Sequence, residues 1–293
     1  MRSQREMVQL ILGVAEKDER IRAVYMNGSR ANPNAKKDIF QDYDMVYVVT
    51  DIASFLADAG WTRVFGEPII TQEPDKLDQM IGKSVNVHDD YMHLMQFTDG
   101  NRIDLHLQSL VSLKKEYGTD KLTVPLLDKD NILPPLPPPT DADYWVKKPT
   151  YGEYYSCCNN FWWVAPYCAK GLWRREVLYA VEVMNDYVRR ELLTMLSWHA
   201  GIATQFKVSM GKANKNLNAY LPPDAWTQLM QTYNWSDDDA AWRALLLTCD
   251  LFAAFAPRVG RDLGYTYAAE EAQRSFAFIR HIKDLPEDAM QIY

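Results

Sequence analysis

The sequence predicts two domains, an α/β domain with a mixed or antiparallel sheet followed by an all-α helical bundle, and three observations carry that prediction. In the first part of the chain the apolar runs are short and β-like and alternate with helical patterns. The run Leu133-Pro134-Pro135-Leu136-Pro137-Pro138-Pro139 then stops any regular element, because proline has no amide donor and favours an extended conformation. Beyond it, apolar residues recur at threes and fours over long stretches. A length of 293 residues fits two domains at roughly 100–200 residues each. The expected boundaries are 1–133 for the α/β domain, 134–140 for the linker and 141–293 for the bundle.

The elements follow in order. Met7, Leu10, Ile11 and Val14 mark an N-terminal helix. Strands are expected at 21–27, 44–50, 67–71, 92–97 and 102–107, with a helix near 52–59 that stops at Gly60. Thr98-Asp99-Gly100-Asn101 joins the last two strands as a hairpin, since Asp-Gly supplies the positive φ angles of a tight turn. After the prolines, one long helix is expected over 172–196. Others are expected at 222–232, begun by Pro222-Pro223, at 237–259, capped by Ser236, and at 267–282.

Charge narrows the function classes. The chain carries 32 Lys and Arg against 39 Asp and Glu, a net −7, and the excess is concentrated: residues 42–104 hold twelve acidic and four basic residues. Nucleic-acid binding draws on basic residues that displace phosphate counter-ions, so nucleic acid is not an expected partner. An acidic stretch of this kind suits a metal ion or a cationic ligand. No apolar run reaches membrane-spanning length, and the N-terminal helical pattern, broken by Glu6, Glu16 and Glu19, lacks the apolar core of a signal peptide. The four cysteines, Cys157, Cys158, Cys168 and Cys249, form no Cys-x-x-Cys pair. They read as reduced core thiols of a cytoplasmic protein.

The chemistry sits in two blocks. In Asp42-Tyr43-Asp44, leading into Met45-Val46-Tyr47-Val48-Val49, strand alternation puts both carboxylates on one face, where they repel unless a cation lies between them. Mg²⁺ is the natural occupant, being held in proteins by one or two carboxylates plus phosphate oxygens. Gly28-Ser29 supplies the phosphate half of such a site: glycine admits close backbone approach, and the hydroxyl and N–H groups donate. In Arg102-Ile103-Asp104-Leu105-His106-Leu107, the residues Arg102, Asp104 and His106 share one face, making Asp104 a third carboxylate. His106 is the one histidine placed near it.

A Gly-Ser turn, an Asp-x-Asp strand and a later strand Asp resemble the nucleotidyltransferase superfamily typified by DNA polymerase β. Gly28-Ser29-Arg30-Ala31-Asn32, Phe40-Gln41-Asp42-Tyr43-Asp44, Arg102-Ile103-Asp104-Leu105 and Cys157-Cys158-Asn159-Asn160-Phe161-Trp162-Trp163 are similar to the aminoglycoside 6-adenylyltransferases, a streptomycin-modifying family. Lys170-Gly171-Leu172 with Arg175-Glu176, and Phe206-Lys207 with Gly211-Lys212, extend the resemblance. Asn160 departs from it, standing where an acidic residue is expected in many relatives.

The resemblance implies transfer of AMP from ATP to an aminoglycoside hydroxyl, the 6-hydroxyl of streptomycin first, and hence antibiotic resistance. Asp42, Asp44 and Asp104 would be the metal-binding catalytic residues, Asp104 as third ligand, as base, or both. Gly28, Ser29 and Arg30 would face the nucleotide phosphates, with Lys170 and Lys212 at the β- and γ-phosphates. Glu153, Trp173 and Glu176 would meet the cationic acceptor. The alternatives are another small hydroxylated acceptor, such as a lincosamide, or a nucleotide-binding module without catalysis.

Overall fold

The computed structural model describes residues 1–58 and 60–293 and divides into two compact units, Met1–Asp143 and Tyr144–Tyr293. The first is a mixed α/β domain and the second an all-α bundle. The division falls after the proline run, which belongs to the first unit. Leu136 there packs on Gly118, and the Thr140 amide donates to the Lys121 carbonyl at 3.1 Å.

In the first unit, helix α1 (Gln4–Lys17) begins at a capping box between Ser3 and Glu6 and buries Met7, Ile11 and Ala15. Strands β1 (Ile21–Met26), β2 (Tyr43–Val49), β3 (Pro68–Gln72), β4 (Asp90–Phe97), β5 (Arg102–Ser109) and β6 (Val124–Asp128) form one sheet in the order β3-β4-β5-β2-β1-β6. Every adjacent pair is antiparallel except β2 and β5, which run parallel. The β4–β5 turn falls where expected, but Gly100 (φ +87°) takes the positive φ without Asp99, and the Phe97 amide closes the turn on the Asn101 carbonyl at 2.9 Å.

Alternation along β2 and β5 sends Tyr43, Met45, Tyr47, Ile103, Leu105 and Leu107 into a core beneath α1. The opposite face carries Val46 and Val48 against Leu113 of α5 (Leu110–Glu116), and that helix reaches only part of it. This second face holds the polar residues of β5. Between the strands lie the one-turn helices α2 (Gly28–Ala31) and α3 (Ala53–Leu56), together with α4 (Pro74–Met80). The sequence pattern did not anticipate α4, α5 or β6. The expected helix over 52–59 is limited to α3, and Ala59 lies outside the described residues.

In the second unit α6 (Tyr151–Trp173) is followed by α7 (Val177–Val183), a π-helical turn at Met184–Val188 and α8 (Arg189–Ala203). The single helix expected over 172–196 is therefore corrected: it begins at Val177 and runs on to Ala203, and residues 174–176 separate it from α6, a helix that the sequence pattern did not anticipate. Arg175 takes a left-handed conformation (φ +61°), while the Arg175 and Glu176 amides bond the carbonyls of Leu172 and Gly171 at 3.0 and 2.8 Å. That is a Schellman stop, and it escapes sequence reading because arginine fills the position that glycine usually marks.

The bundle is completed by α9 (Pro223–Gln231), α10 (Asp238–Leu263) and α11 (Ala269–Asp284). The cap of α10 is Asp237, whose carboxylate accepts from the Ala240 amide at 2.7 Å, and not Ser236, whose hydroxyl bonds Asp237 instead. Helix α10 is long and apolar enough to cross a membrane by length and composition, yet its apolar side is bundle core, with Leu245, Cys249, Phe252 and Phe255 buried. Phe161 and Phe252 stack there with ring centroids 3.7 Å apart, joining α6 to α10. Phe161→Ala should cost about 3–5 kcal/mol of stability, as expected when a fully buried ring leaves a cavity. Urea denaturation followed by tryptophan fluorescence would measure it.

Candidate active site

The site is built at the start of the parallel β2–β5 pair. The chain leaves β1 at Asn27, whose amide donates to the Asp44 carbonyl at 2.9 Å, and turns at Gly28. Gly28 is at φ +74°, and a Cβ there would stand 2.0 Å from Asp44 Oδ2, so the turn requires glycine on both counts. The backbone N–H of Ser29 donates to the Asp44 carboxylate. Arg30 turns back along the chain: its guanidinium donates to the carbonyls of Asp42 (3.0 Å) and Gln41 (2.7 Å) and lies 3.7 Å over the Tyr43 ring. Arg30 thus clamps the entry to β2.

In the parallel ladder Asp44 is the register partner of Asp104, which puts both carboxylates side by side on the partly open sheet face. Asp42 lies two residues before Asp44 and interacts electrostatically with both. Burial pushes the Asp44 carboxyl up to about 6, with the negative charges of Asp104 and Asp42 adding to it. Burial also raises Asp42, with Arg102 opposing and Asp104 reinforcing the shift. The guanidinium of Arg102 grips Asp104 in a two-pronged pair, Nε to Oδ1 and Nη2 to Oδ2 both at 2.7 Å, and its Nη1 stands 3.7 Å from Asp42 Oδ2.

By chemistry this donor set suits a hard divalent cation, with carboxylate oxygens beside a glycine turn that has no side chain in the way. In the arrangement seen, the oxygens of Asp42, Asp44 and Asp104 do not all lie within 4.8 Å of one another, and the Arg102 guanidinium occupies Asp104.

The neighbouring polar cluster is a different kind of object. Among the described residues, one group of three His, Cys or carboxylate ligands has its atoms within 4.8 Å of one another: Asp90, His106 and Glu116. Their polar atoms are already engaged. His106 Nε2 meets Asp90 Oδ1 at 2.8 Å, the Ser112 hydroxyl donates to both Asp90 oxygens at 2.8 Å, and buried Gln108 donates to Glu116 at 3.1 Å. His106 shares the face of Asp104 as expected, but its ring is committed to Asp90.

The sequence profile described as streptomycin adenylyltransferase matches residues 1–282. An aminoglycoside 6-adenylyltransferase of Campylobacter jejuni is 40% identical over 283 residues, covering 97% of each chain. The chain belongs to the aminoglycoside 6-adenylyltransferase family. The superfamily is accordingly that of the polymerase-β-like nucleotidyltransferases. Proteins of the same description from Bacillus subtilis and Staphylococcus aureus are 38% and 35% identical over 268 residues, each spanning 91% of this chain and 93% and 94% of their own. A crystal structure of an aminoglycoside 6-adenyltransferase from Bacillus subtilis aligns over 97% of this chain and all of its own, at 32% identity and a TM-score of 0.48.

The family residues expected in the bundle are scattered. Lys212 follows Gly211 (φ +68°) in a loop where Ala213 and Asn214 are also left-handed, at φ +54° and +59°. It lines a cavity of about 740 Å³ with Tyr144, Arg190, Trp198 and Asn214. Lys170 lies near the end of α6 with its ammonium 5.7 Å from the rings of both Tyr167 and Phe278. Trp173 donates to the Leu285 carbonyl at 3.3 Å. Glu176 precedes α7 and makes no side-chain cap bond there.

Glu153 is spent on the Thr150 capping box, which holds its carboxyl below the usual range. Glu153 and Trp173 stand at opposite ends of α6, about 30 Å apart at 1.5 Å per residue, too far to line one small-molecule site. Sequence reading missed Arg102 as part of the site, although its place on the Asp104 face was the available signal.

Two predictions follow from the Gly28–Asp44 contact and the burial of Asp44. Gly28→Ala should destabilise the metal-free protein by about 1–3 kcal/mol from left-handed backbone alone, measured by urea denaturation. Because burial raises Asp44 from 3.8 to about 6, the folded state holds its proton more tightly than the unfolded chain. Stability from this group is then full below pH 4 and lost as pH rises through about 6. In metal-free buffer, melting curves from pH 4 to 8 should show Asp44→Asn without that loss and more stable than wild type above pH 6.

Proposed function

We propose that the protein transfers AMP from ATP to a hydroxyl of an aminoglycoside, with the 6-hydroxyl of streptomycin as the first acceptor to test. The observation that carries this reading is the pairing of Asp44 with Asp104 beside the Gly28–Ser29 turn, in a chain related over nearly its whole length to aminoglycoside 6-adenylyltransferases.

Asp42, Asp44 and Asp104 would hold Mg²⁺, which when bound supplies charge neutralisation at the phosphates and acidifies a hydroxyl that it touches. The Ser29 hydroxyl and the backbone around Gly28 would face the phosphate chain as donors. Asp104 takes the acceptor's proton at a carboxylate oxygen as the acceptor oxygen attacks the α-phosphorus. The bond from that phosphorus to the bridging oxygen breaks, and pyrophosphate leaves with the bonding pair. Lys212 and Arg190, on the rim of one cavity with the aromatic rings of Trp198 and Tyr144, form the bundle's best-supported place for polyphosphate charge and a base. Lys170 remains a second phosphate candidate. Trp173 and Glu176, close together around the break after α6, are the retained acceptor candidates.

The bundle residues 141–293 are proposed as the part that binds nucleotide and acceptor, with residues 1–133 as the catalytic domain. Four buried, unpaired cysteines support a reducing, cytoplasmic setting.

The direct test incubates purified protein with ATP, Mg²⁺ and a panel of aminoglycosides and follows each by mass spectrometry. A gain of one AMP on streptomycin is expected, and fragmentation would locate the modified hydroxyl. No adduct on any aminoglycoside would overturn the proposal. Asp44→Asn should lower turnover by a factor of about 100 or more, the scale expected when transition-state charge stabilisation is removed, while the protein still melts cooperatively.

A further inference from the structure

Three aspartates on one sheet face need a counter-charge even when no metal is bound, and the structure shows which residue supplies it. Arg102 forms two 2.7 Å bonds to Asp104, one to each oxygen, and reaches to 3.7 Å from Asp42. Both prongs of the fork are used, so neither Asp104 oxygen is left without a guanidinium partner. That arrangement conflicts with either role of Asp104. A carboxylate whose two oxygens accept from a guanidinium is a poor ligand for a cation and a poor acceptor for a hydroxyl proton.

Arg102 is also placed to move. Its side chain is 39% exposed, and it borders a cavity of about 590 Å³ on the same sheet face. The register sets that cavity beside the carboxylates: Leu94 pairs with Asp104, Gln96 with Arg102, and Gln72 with Leu94. Its lining offers the amide oxygens of Gln72 and Gln96 as other acceptors for a guanidinium, whereas the Glu73 carboxylate there already accepts from the Tyr91 hydroxyl at 2.6 Å and from Lys76 at 3.4 Å.

We propose that Arg102 is the resident counter-ion of the carboxylate site: it competes with the divalent cation for Asp104 and Asp42, and yields them by swinging toward the Gln72 and Gln96 amides when the cation binds. This rests on the metal reading of Asp42, Asp44 and Asp104. It makes Arg102 a positioning residue that keeps the site closed to metal alone, so that the charge of a bound nucleotide helps to open it.

The test titrates Mn²⁺ into nucleotide-free protein and follows free Mn²⁺ by electron paramagnetic resonance, with thermal melting alongside. Arg102→Gln should bind Mn²⁺ about tenfold more tightly than wild type, the equivalent of one competing charge-assisted bond. It should also melt at lower temperature without metal and regain more on adding Mn²⁺. Arg102→Lys, which keeps the charge and loses the fork, should fall between the two, and it carries the test by itself if the glutamine variant does not fold. Asp44→Asn separates the failures. Mn²⁺ binding that weakens with Asp44→Asn but is no tighter in either Arg102 variant overturns the counter-ion role alone. Binding indifferent to Asp44→Asn overturns the metal assignment and the counter-ion role together.

Discussion

The parallel pairing of β2 with β5 is the constraint on which the site depends. It is the one parallel ladder in a sheet whose other pairs are antiparallel, and it sets Asp44 level with Asp104. A shift of one residue would turn Asp104 into the core and bring Ile103 or Leu105 to the partly open face. The apolar set beneath α1 therefore fixes the carboxylates as surely as it fixes the core, since both follow from the same alternation.

Bringing the carboxylates together has an electrostatic cost that the surroundings reveal. Asp44 is buried beside two other acids, and its carboxyl rises to about 6. The Ser29 amide and the Arg102 guanidinium oppose that rise, and Arg30 holds the approach to β2 through backbone carbonyls and the Tyr43 ring. Of the two arginines, one anchors backbone and the other answers charge. Their separate tasks follow from where their forks can reach.

Much of this was legible in the sequence where a local rule governed the outcome. All five expected strands are present, the Asp-Gly turn joins β4 to β5, and Asp44 stands against Gly28 and, by strand register, beside Asp104. Other features depended on contacts between distant residues. The left-handed Arg175 gives no sequence signal for the stop after α6, and the capping box of Glu153 is a local alternative that outweighed its reading as an acceptor ligand. His106 has the right face for Asp104, but Asp90, sixteen residues earlier, claims its ring.

By itself the sequence determined which residues the proposed chemistry draws on, because a strand's two-residue repeat and a glycine's freedom at positive φ are properties of short segments. It also determined the order of the two domains, through the proline run and the change in apolar period. Only the tertiary structure decided which carboxylates become neighbours, which cation answers them, and which charged residues are occupied elsewhere. Ion pairs such as Arg102 with Asp42 join residues sixty positions apart in sequence, and their geometry exists only once the strands between them have been laid in order.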